Sequence, residues 1–199
     1  HVVCRRQRQM CIRDRSKGPW NYQETMRIPL YMKIPGKTKA GTKTNSLASH
    51  VDLAKTIAEF AGVTTSDYPG LVGESLLPIF DDLDAKIRDY VLFSQQWPWY
   101  IGVEHTRYAS AGIFDGRYKY CRYYGVGGGA DAAGVPLSGT IQFEFDSPFD
   151  DHDHEWYDLQ EDPHELINLA MDRSRRNELR TRFDELRAIE EVDYAPIPS

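Results

Sequence analysis

The dipeptide Asp115-Gly116 constrains the fold of this chain more than any other pair of residues. It separates two runs rich in aromatic and β-forming side chains, residues 108–113 and 117–124. A two-residue turn between right-twisted strands needs backbone positions with positive φ, and Asp-Gly supplies them at little steric cost. The pair therefore predicts an antiparallel hairpin. Similar short runs at 90–94 and 140–145 extend it to three or four strands, and Trp156-Tyr157-Asp158-Leu159 reads as a last short strand. Residues 125–139, GVGGGADAAGVPLSG, hold too much glycine and too few apolar anchors for regular structure. No P-loop lysine follows those glycines, so they are not read as a phosphate cradle.

Helical periodicity occurs twice. Ser49 followed three residues later by Asp52 resembles a capping box, and Leu53, Ile57, Phe60 and Ala61 recur at helical spacing until Gly62. This predicts a surface helix packed on a sheet, with His50 and Asp52 as capping and loop residues. Over 174–189, Leu179, Phe183, Leu186 and Ile189 share one face, and Glu178 stands four residues before Arg182 on the other. Residues 28–34 alternate, Leu30, Met32 and Ile34 against Tyr31 and Lys33, which predicts a strand closed by the Pro35-Gly36 turn. Asp162-Pro163-His164-Glu165 opens another turn. The charged stretch 81–88 marks a change from helix and strand to short aromatic strands, so the chain divides into residues 16–80 and 81–199.

Charge is unevenly spread. Of 24 basic and 30 acidic side chains, residues 1–15 hold five Arg and one Asp, leaving 19 basic and 29 acidic among the other 184. A main body near −10 is not expected to take a nucleic-acid partner, because backbone binding needs concentrated Lys and Arg. No apolar run approaches the length of a membrane span. Residues 1–15, HVVCRRQRQMCIRDR, show no periodicity, and RQMCIRDR resembles the translated end of a sequencing adapter. They are expected to be a non-native segment outside the fold.

Three cysteines, two of them in that first stretch, make no disulfide framework, and Cys121 reads as a small hydrophobe in a strand. Residues 146–155, DSPFDDHDHE, gather carboxylates and two histidines. Their spacing fits neither a calcium loop nor a helical zinc pair, so the stretch is expected to be a solvated acidic loop. No metal ligand is assigned in the chain.

Three stretches together resemble the C-terminal half of the type I, formylglycine-dependent sulfatases of the alkaline phosphatase-like superfamily. KGPWNYQETMRIPLYMKIPG at 17–36 is similar to the segment after that family's Asp-His-Gly metal motif. SHVDLAKTIAEFAGV at 49–63 is similar to one of its helices, and EWYDLQEDPHELINLA at 155–170 to its closing signature. The resemblance implies an α/β fold. Residues 16–80 would end an alkaline phosphatase-like α/β/α sandwich, and 81–199 would form a small C-terminal subdomain of antiparallel sheet and packed helix.

The implied reaction is hydrolysis of a sulfate ester, on a small molecule or a saccharide, to an alcohol and sulfate. The family's nucleophile is a formylglycine made from Cys or Ser in a Cys/Ser-x-Pro-x-Arg context, and its divalent ion is Ca2+ or Mg2+. Neither Cys4 nor Cys11 lies in that context, and the metal-holding carboxylates are not found here. Both groups are therefore expected in the intact parent and neither on this fragment, which is expected to be inactive alone. A phosphonate or phosphodiester hydrolase of the same superfamily and a noncatalytic binding module stand as alternatives.

Lys17 occupies the position of the lysine that contacts the sulfate group in that family. An ammonium is a compact charge suited to neutralising an anionic ester as charge moves to the leaving oxygen. Residues 97–108, WPWYIGVEHTRY, supply a second group of candidates. Trp97, Trp99 and His105 would grip the organic part of a substrate, and Arg107 would add an anion contact. The competing reading has these residues sealing the small sheet to the larger domain.

Overall fold

The computed structural model describes residues 21–68, 70–96, 106–127 and 146–193, with side chains except at 95, 96, 106–108, 125–127 and 193. These residues divide into two compact units. The first is drawn from His1–Pro29, Leu92–Ile113 and Arg117–Ile189, the second from Leu30–Val91, Phe114–Gly116 and Glu190–Ser199.

Four strands, β1 (Val91–Gln96), β2 (Thr106–Phe114), β3 (Tyr118–Gly127) and β4 (Asp153–Asp158), pair in chain order as one antiparallel sheet. The Asp115-Gly116 hairpin joins β2 to β3, and Gly116 has φ +98°. Arg117 also lies outside the strands, so the connection has three residues instead of the expected two. Three-residue connections with glycine at positive φ are the next common solution for a hairpin. Within β2, Gly112 is required by packing: a Cβ there would stand 2.5 Å from the Phe93 ring and 2.7 Å from the Tyr120 carbonyl oxygen. The expected strand at 140–145 lies outside the described residues.

The register of β3 against β4 pairs Lys119 with Tyr157, Tyr120 with Trp156, Cys121 with Glu155 and Arg122 with His154. Because side chains alternate across a strand, this sorts them onto two faces. Tyr120, Tyr124 and Trp156 join Ala109 and Ala111 in the apolar core, which is completed by Phe149 and by Leu179, Phe183 and Leu186 of a C-terminal helix. That helix runs Arg176–Asp193, preceded by 3-10 turns at Leu169–Met171 and Arg173–Arg175. Leu179, Phe183 and Leu186 face inward as their spacing predicts. On its outer face Arg182 bonds Glu185 at 3.0 Å.

The acidic stretch 146–155 differs from the expected solvated loop. Phe149 and His152 are buried, and Asp153, His154 and Glu155 enter β4. Asp150 is paired with Arg176, and Asp146 meets Arg187 at 2.5 Å. Two of its five carboxylates, Asp146 and Asp150, thus meet the C-terminal helix, and Glu155 bonds Tyr123.

In the second unit the helix Val51–Phe60 forms where expected but turns the other way. Asp52 and Thr56 are buried, whereas Ile57 is 65% exposed and Phe60 54%. The polar anchors explain it. The Asp52 carboxylate accepts from Ser49 N at 2.7 Å and from Glu74 N at 2.8 Å, and pairs with the Arg88 guanidinium. Thr56 Oγ1 donates to Asp52 O at 2.6 Å and accepts from Leu76 N at 2.9 Å. A buried charge fixed by three partners outweighs the orientation that apolar spacing favours.

Residues 27–34 form no strand. A strand needs a ladder neighbour, and the described residues place none beside this segment. Thr38 Oγ1 satisfies both backbone groups of Ile34 instead, at 3.2 and 3.0 Å.

Candidate functional site

The face of the sheet opposite the C-terminal helix is polar. Alternation puts Lys119, Cys121 and Tyr123 of β3 there, beside Glu155 and Tyr157 of β4 and Ser110 of β2. Residues 21–26 lie across it, ending in a single helical turn at Gln23–Met26. Pro29 restrains Ile28 from helical dihedrals, which limits how far that turn continues.

Lys119 is 1% exposed, and its ammonium donates to the Asn21 carbonyl oxygen and to Glu165. It also lies 5.5 Å from the ring centre of Tyr157 and 5.9 Å from that of Tyr22. The second Glu165 oxygen accepts the Gln23 N–H at 2.8 Å. Ser110 Oγ adds a long contact of 3.4 Å to Asn21 Oδ1. Consecutive peptide groups of the 21–23 segment are thereby held by two buried, oppositely charged side chains.

Glu165 reaches this position through a turn. Its N–H donates to Asp162 O at 3.1 Å, and its own φ is +52°, the left-handed region that a residue with a Cβ seldom adopts. The Asp162 carboxylate accepts from Ile167 N at 2.7 Å. Asn168 then ties the chain back to β4, accepting from Trp156 N at 3.0 Å and donating to His154 O at 3.1 Å. The closing stretch 155–170 is a buckle whose tongue is Glu165.

Burial governs the titrating groups on this face. It pushes the Cys121 thiol up, and the Tyr123 and Tyr157 hydroxyls likewise. Glu155 is raised for the same reason, opposed by the 2.9 Å bond from Tyr123 OH and by the Lys119 charge. A thiol kept protonated is no nucleophile. With Lys119 committed to Glu165 and Asn21, the described residues of this layer hold the 21–23 segment in place.

Lys17, Trp97, Trp99 and His105 lie outside the described residues, and Arg107 sits in β2 with its side chain likewise outside them. By sequence, Lys17 stands four residues before Asn21. Lys119 and Glu165 were not singled out from the sequence. Lys119 carried a faint signal, a charged side chain sharing its strand face with Cys121 and Tyr123.

Among the described residues no group of three or more His, Cys, Asp or Glu is arranged to hold a metal ion. His154 uses both ring nitrogens, meeting Tyr120 OH at 2.8 Å and donating to Phe149 O at 3.0 Å. Imidazole nitrogens engaged in this way do not fit a Ca2+ or Mg2+ ion, which takes oxygen ligands. No helix among the described residues is long and apolar enough to cross a membrane. In the second unit a groove of about 350 Å³ is lined by Ser46, Lys86, Arg88 and Asp89, where Arg88 is paired with Asp52 and Lys86 with Asp89.

Comparison with known proteins gives a consistent picture. The family model for N-sulphoglucosamine sulphohydrolase, C-terminal, matches residues 17–128, more than half of the chain. An N-acetylglucosamine-6-O-sulfatase of Bacteroides thetaiotaomicron is 24% identical over 148 residues, covering 74% of this chain and 22% of that protein. An ulvan-active sulfatase of Formosa agariphila is 28% identical over 156 residues, covering 73% of this chain and 29% of its own length. The chain thus spans about a quarter of the length of the curated relatives it matches. A solved structure in complex with its substrate D-glucosamine-2-N,6-O-disulfate superposes with a TM-score of 0.61 at 21% identity, covering 86% of this chain and 30% of that one. That likeness is one of fold.

Proposed function

Because this chain belongs to the N-sulphoglucosamine sulphohydrolase C-terminal family, we propose that it is the C-terminal part of a sulfatase that hydrolyses a sulfate ester on a saccharide. The observation that carries the reading is the meeting of two of its sulfatase-like stretches: the segment after Lys17 is clamped at Asn21 and Gln23 by Lys119 and by Glu165 of the closing signature. The saccharide follows from the relatives, one named for N-acetylglucosamine 6-O-sulfate and one for ulvan, and from the glucosamine disulfate bound by the structural neighbour.

In this reading Lys17 neutralises the sulfate group as charge builds on the leaving oxygen, a role that a fixed ammonium fills in a water-poor site. Trp97, Trp99, His105 and Arg107 contact the sugar. The formylglycine nucleophile and the Ca2+ or Mg2+ belong to the remainder of the enzyme and would supply the attacking oxygen and polarise the ester. The 199-residue chain by itself does not turn over.

Two measurements test this reading. The reading frame upstream of Ser16, taken from independent DNA, is expected to encode a Cys/Ser-x-Pro-x-Arg stretch; an intact frame without one would support a noncatalytic module instead. Sulfate release from an aryl sulfate by the purified 199-residue chain is expected to be absent. Measurable turnover would contradict the assignment of the nucleophile to the missing part.

A further inference from the structure

We propose that the apolar stripe of the helix Val51–Phe60 is a docking surface, covered in the intact enzyme by a β-sheet of the polypeptide that precedes this chain. This rests on the reading of the chain as the C-terminal part of a longer sulfatase.

The helix buries the unexpected side. Val51, Ala54 and Ile57 of the helix and Ala61 at its C-cap recur every three or four positions, the spacing of one helical face, and all four are exposed. A surface helix ordinarily turns such a stripe inward. Here that rotation is blocked. Asp52 and Thr56 hold the opposite face against Ser49, Glu74, Leu76 and Arg88, all within one compact unit. Turning Ile57 inward would carry the Asp52 carboxylate out of its bonds and leave Arg88 without its counter-charge, a costlier arrangement than the exposed stripe. The stripe can therefore be covered only by a surface brought to it. No charged side chain interrupts it, so it suits dry packing against apolar residues better than contact with a polar ligand.

The same unit carries a second unpaired element. Among the described residues, the backbone of residues 30–33 makes no hydrogen bond, and Leu30 and Tyr31 are exposed. An alternating segment with free N–H and C=O groups is an edge for strand addition. A partner that supplies a strand to this edge and an apolar face to the helix is a β-sheet, the layer against which helices pack in an α/β domain. The length of chain that would supply it is visible in the relatives, of which this chain covers 22% and 29%.

Thiol accessibility tests the docking. Ile57→Cys is made in the 199-residue chain and in the intact enzyme, with Glu178→Cys at an exposed position of the C-terminal helix as the reference. Each is labelled with a maleimide under native conditions, and the wild-type rate is subtracted. The two variants are expected to label at comparable rates in the 199-residue chain. In the intact enzyme Ile57→Cys is expected to label at least about tenfold more slowly than the reference, because the reagent must wait for a local opening. Comparable rates in the intact enzyme would overturn the proposal. Slow labelling of Ile57→Cys already in the 199-residue chain would also overturn it, and a sedimenting dimer would then assign the stripe to a second copy. If Ile57→Cys does not fold in the intact enzyme, Ala54→Cys on the same stripe takes its place. A longer protein that protects the stripe but releases no sulfate would fail the functional reading and leave the docking standing. An upstream frame that encodes no further domain would end both.

Discussion

The Lys119 ammonium lies against the Glu165 carboxylate with side-chain exposures of 1% and 0%, and the two residues are 46 positions apart. Through Asn21 and Gln23 the same pair fastens a segment some hundred positions earlier than β3. A contact of this kind joins an early and a late stretch of the chain within one compact unit.

Truncating one partner should expose the cost of that arrangement. Glu165→Ala leaves a buried ammonium without its counter-charge and is expected to destabilise the chain by about 3–5 kcal/mol. Urea denaturation of the purified chain measures it; a loss below about 1 kcal/mol would place the pair among solvent-screened bridges.

Gly112 offers a test of packing in the sheet. With a Cβ facing the Phe93 ring and the Tyr120 carbonyl at 2.5 and 2.7 Å, Gly112→Ala is expected to cost about 1–3 kcal/mol. Gly62 makes a useful contrast, since it has φ +79° but nothing within 4 Å of a Cβ. Gly62→Ala should cost only the backbone strain, about 1–2 kcal/mol. A Gly112→Ala variant as stable as wild type would show that β1 and β3 have room to separate.

The helix Val51–Phe60 yields an inverted pattern of sensitivity. Asp52→Ala removes the buried partner of Arg88 and is expected to cost about 3–5 kcal/mol. Ile57→Lys alters a residue that is 65% exposed and should change the stability of this chain by no more than about 0.5 kcal/mol. Thermal melts of both variants decide it, and the opposite order would mean that the apolar face is covered.

His154 gives the fold a pH dependence of definite sign. Burial lowers its pKa below the ordinary 6.5, opposed by its bond to Phe149 O and by Asp153 and Asp150, and reinforced by Arg176. The unfolded chain therefore binds more protons at this site. Its contribution to stability is complete above the unfolded value and is lost as the pH falls from about 6.5 through the folded value. Melting temperatures between pH 7.5 and 5 should fall, and His154→Gln should flatten that slope; an unaltered slope in the variant would assign it to other groups.

The parts of this fold that were legible in sequence are those written in local chemistry. Asp115-Gly116 carried its hairpin, and the spacing of Leu179, Phe183 and Leu186 carried the inward face of the last helix. What failed was decided at long range. Ile57 and Phe60 have the spacing of a core face, yet Asp52, held by Arg88 and Glu74 N, turned the helix over. Residues 28–34 alternate like a strand but have no ladder partner among the described residues. Strand alternation hints at Lys119 only faintly and at Glu165 not at all, because their meaning lies in a pairing across 46 positions. Lys17, Trp97, Trp99 and His105 are argued from sequence and lie outside the described residues.

The most direct measurement is sulfate release from a 6-O-sulfated glucosamine by the intact enzyme, comparing wild type with Lys17→Ala. Removal of a charge-stabilising donor predicts a kcat lower by on the order of 100-fold or more, with the fold retained. A wild-type enzyme that releases no sulfate from any saccharide ester, or a Lys17→Ala variant that turns over at the wild-type rate, would contradict the account.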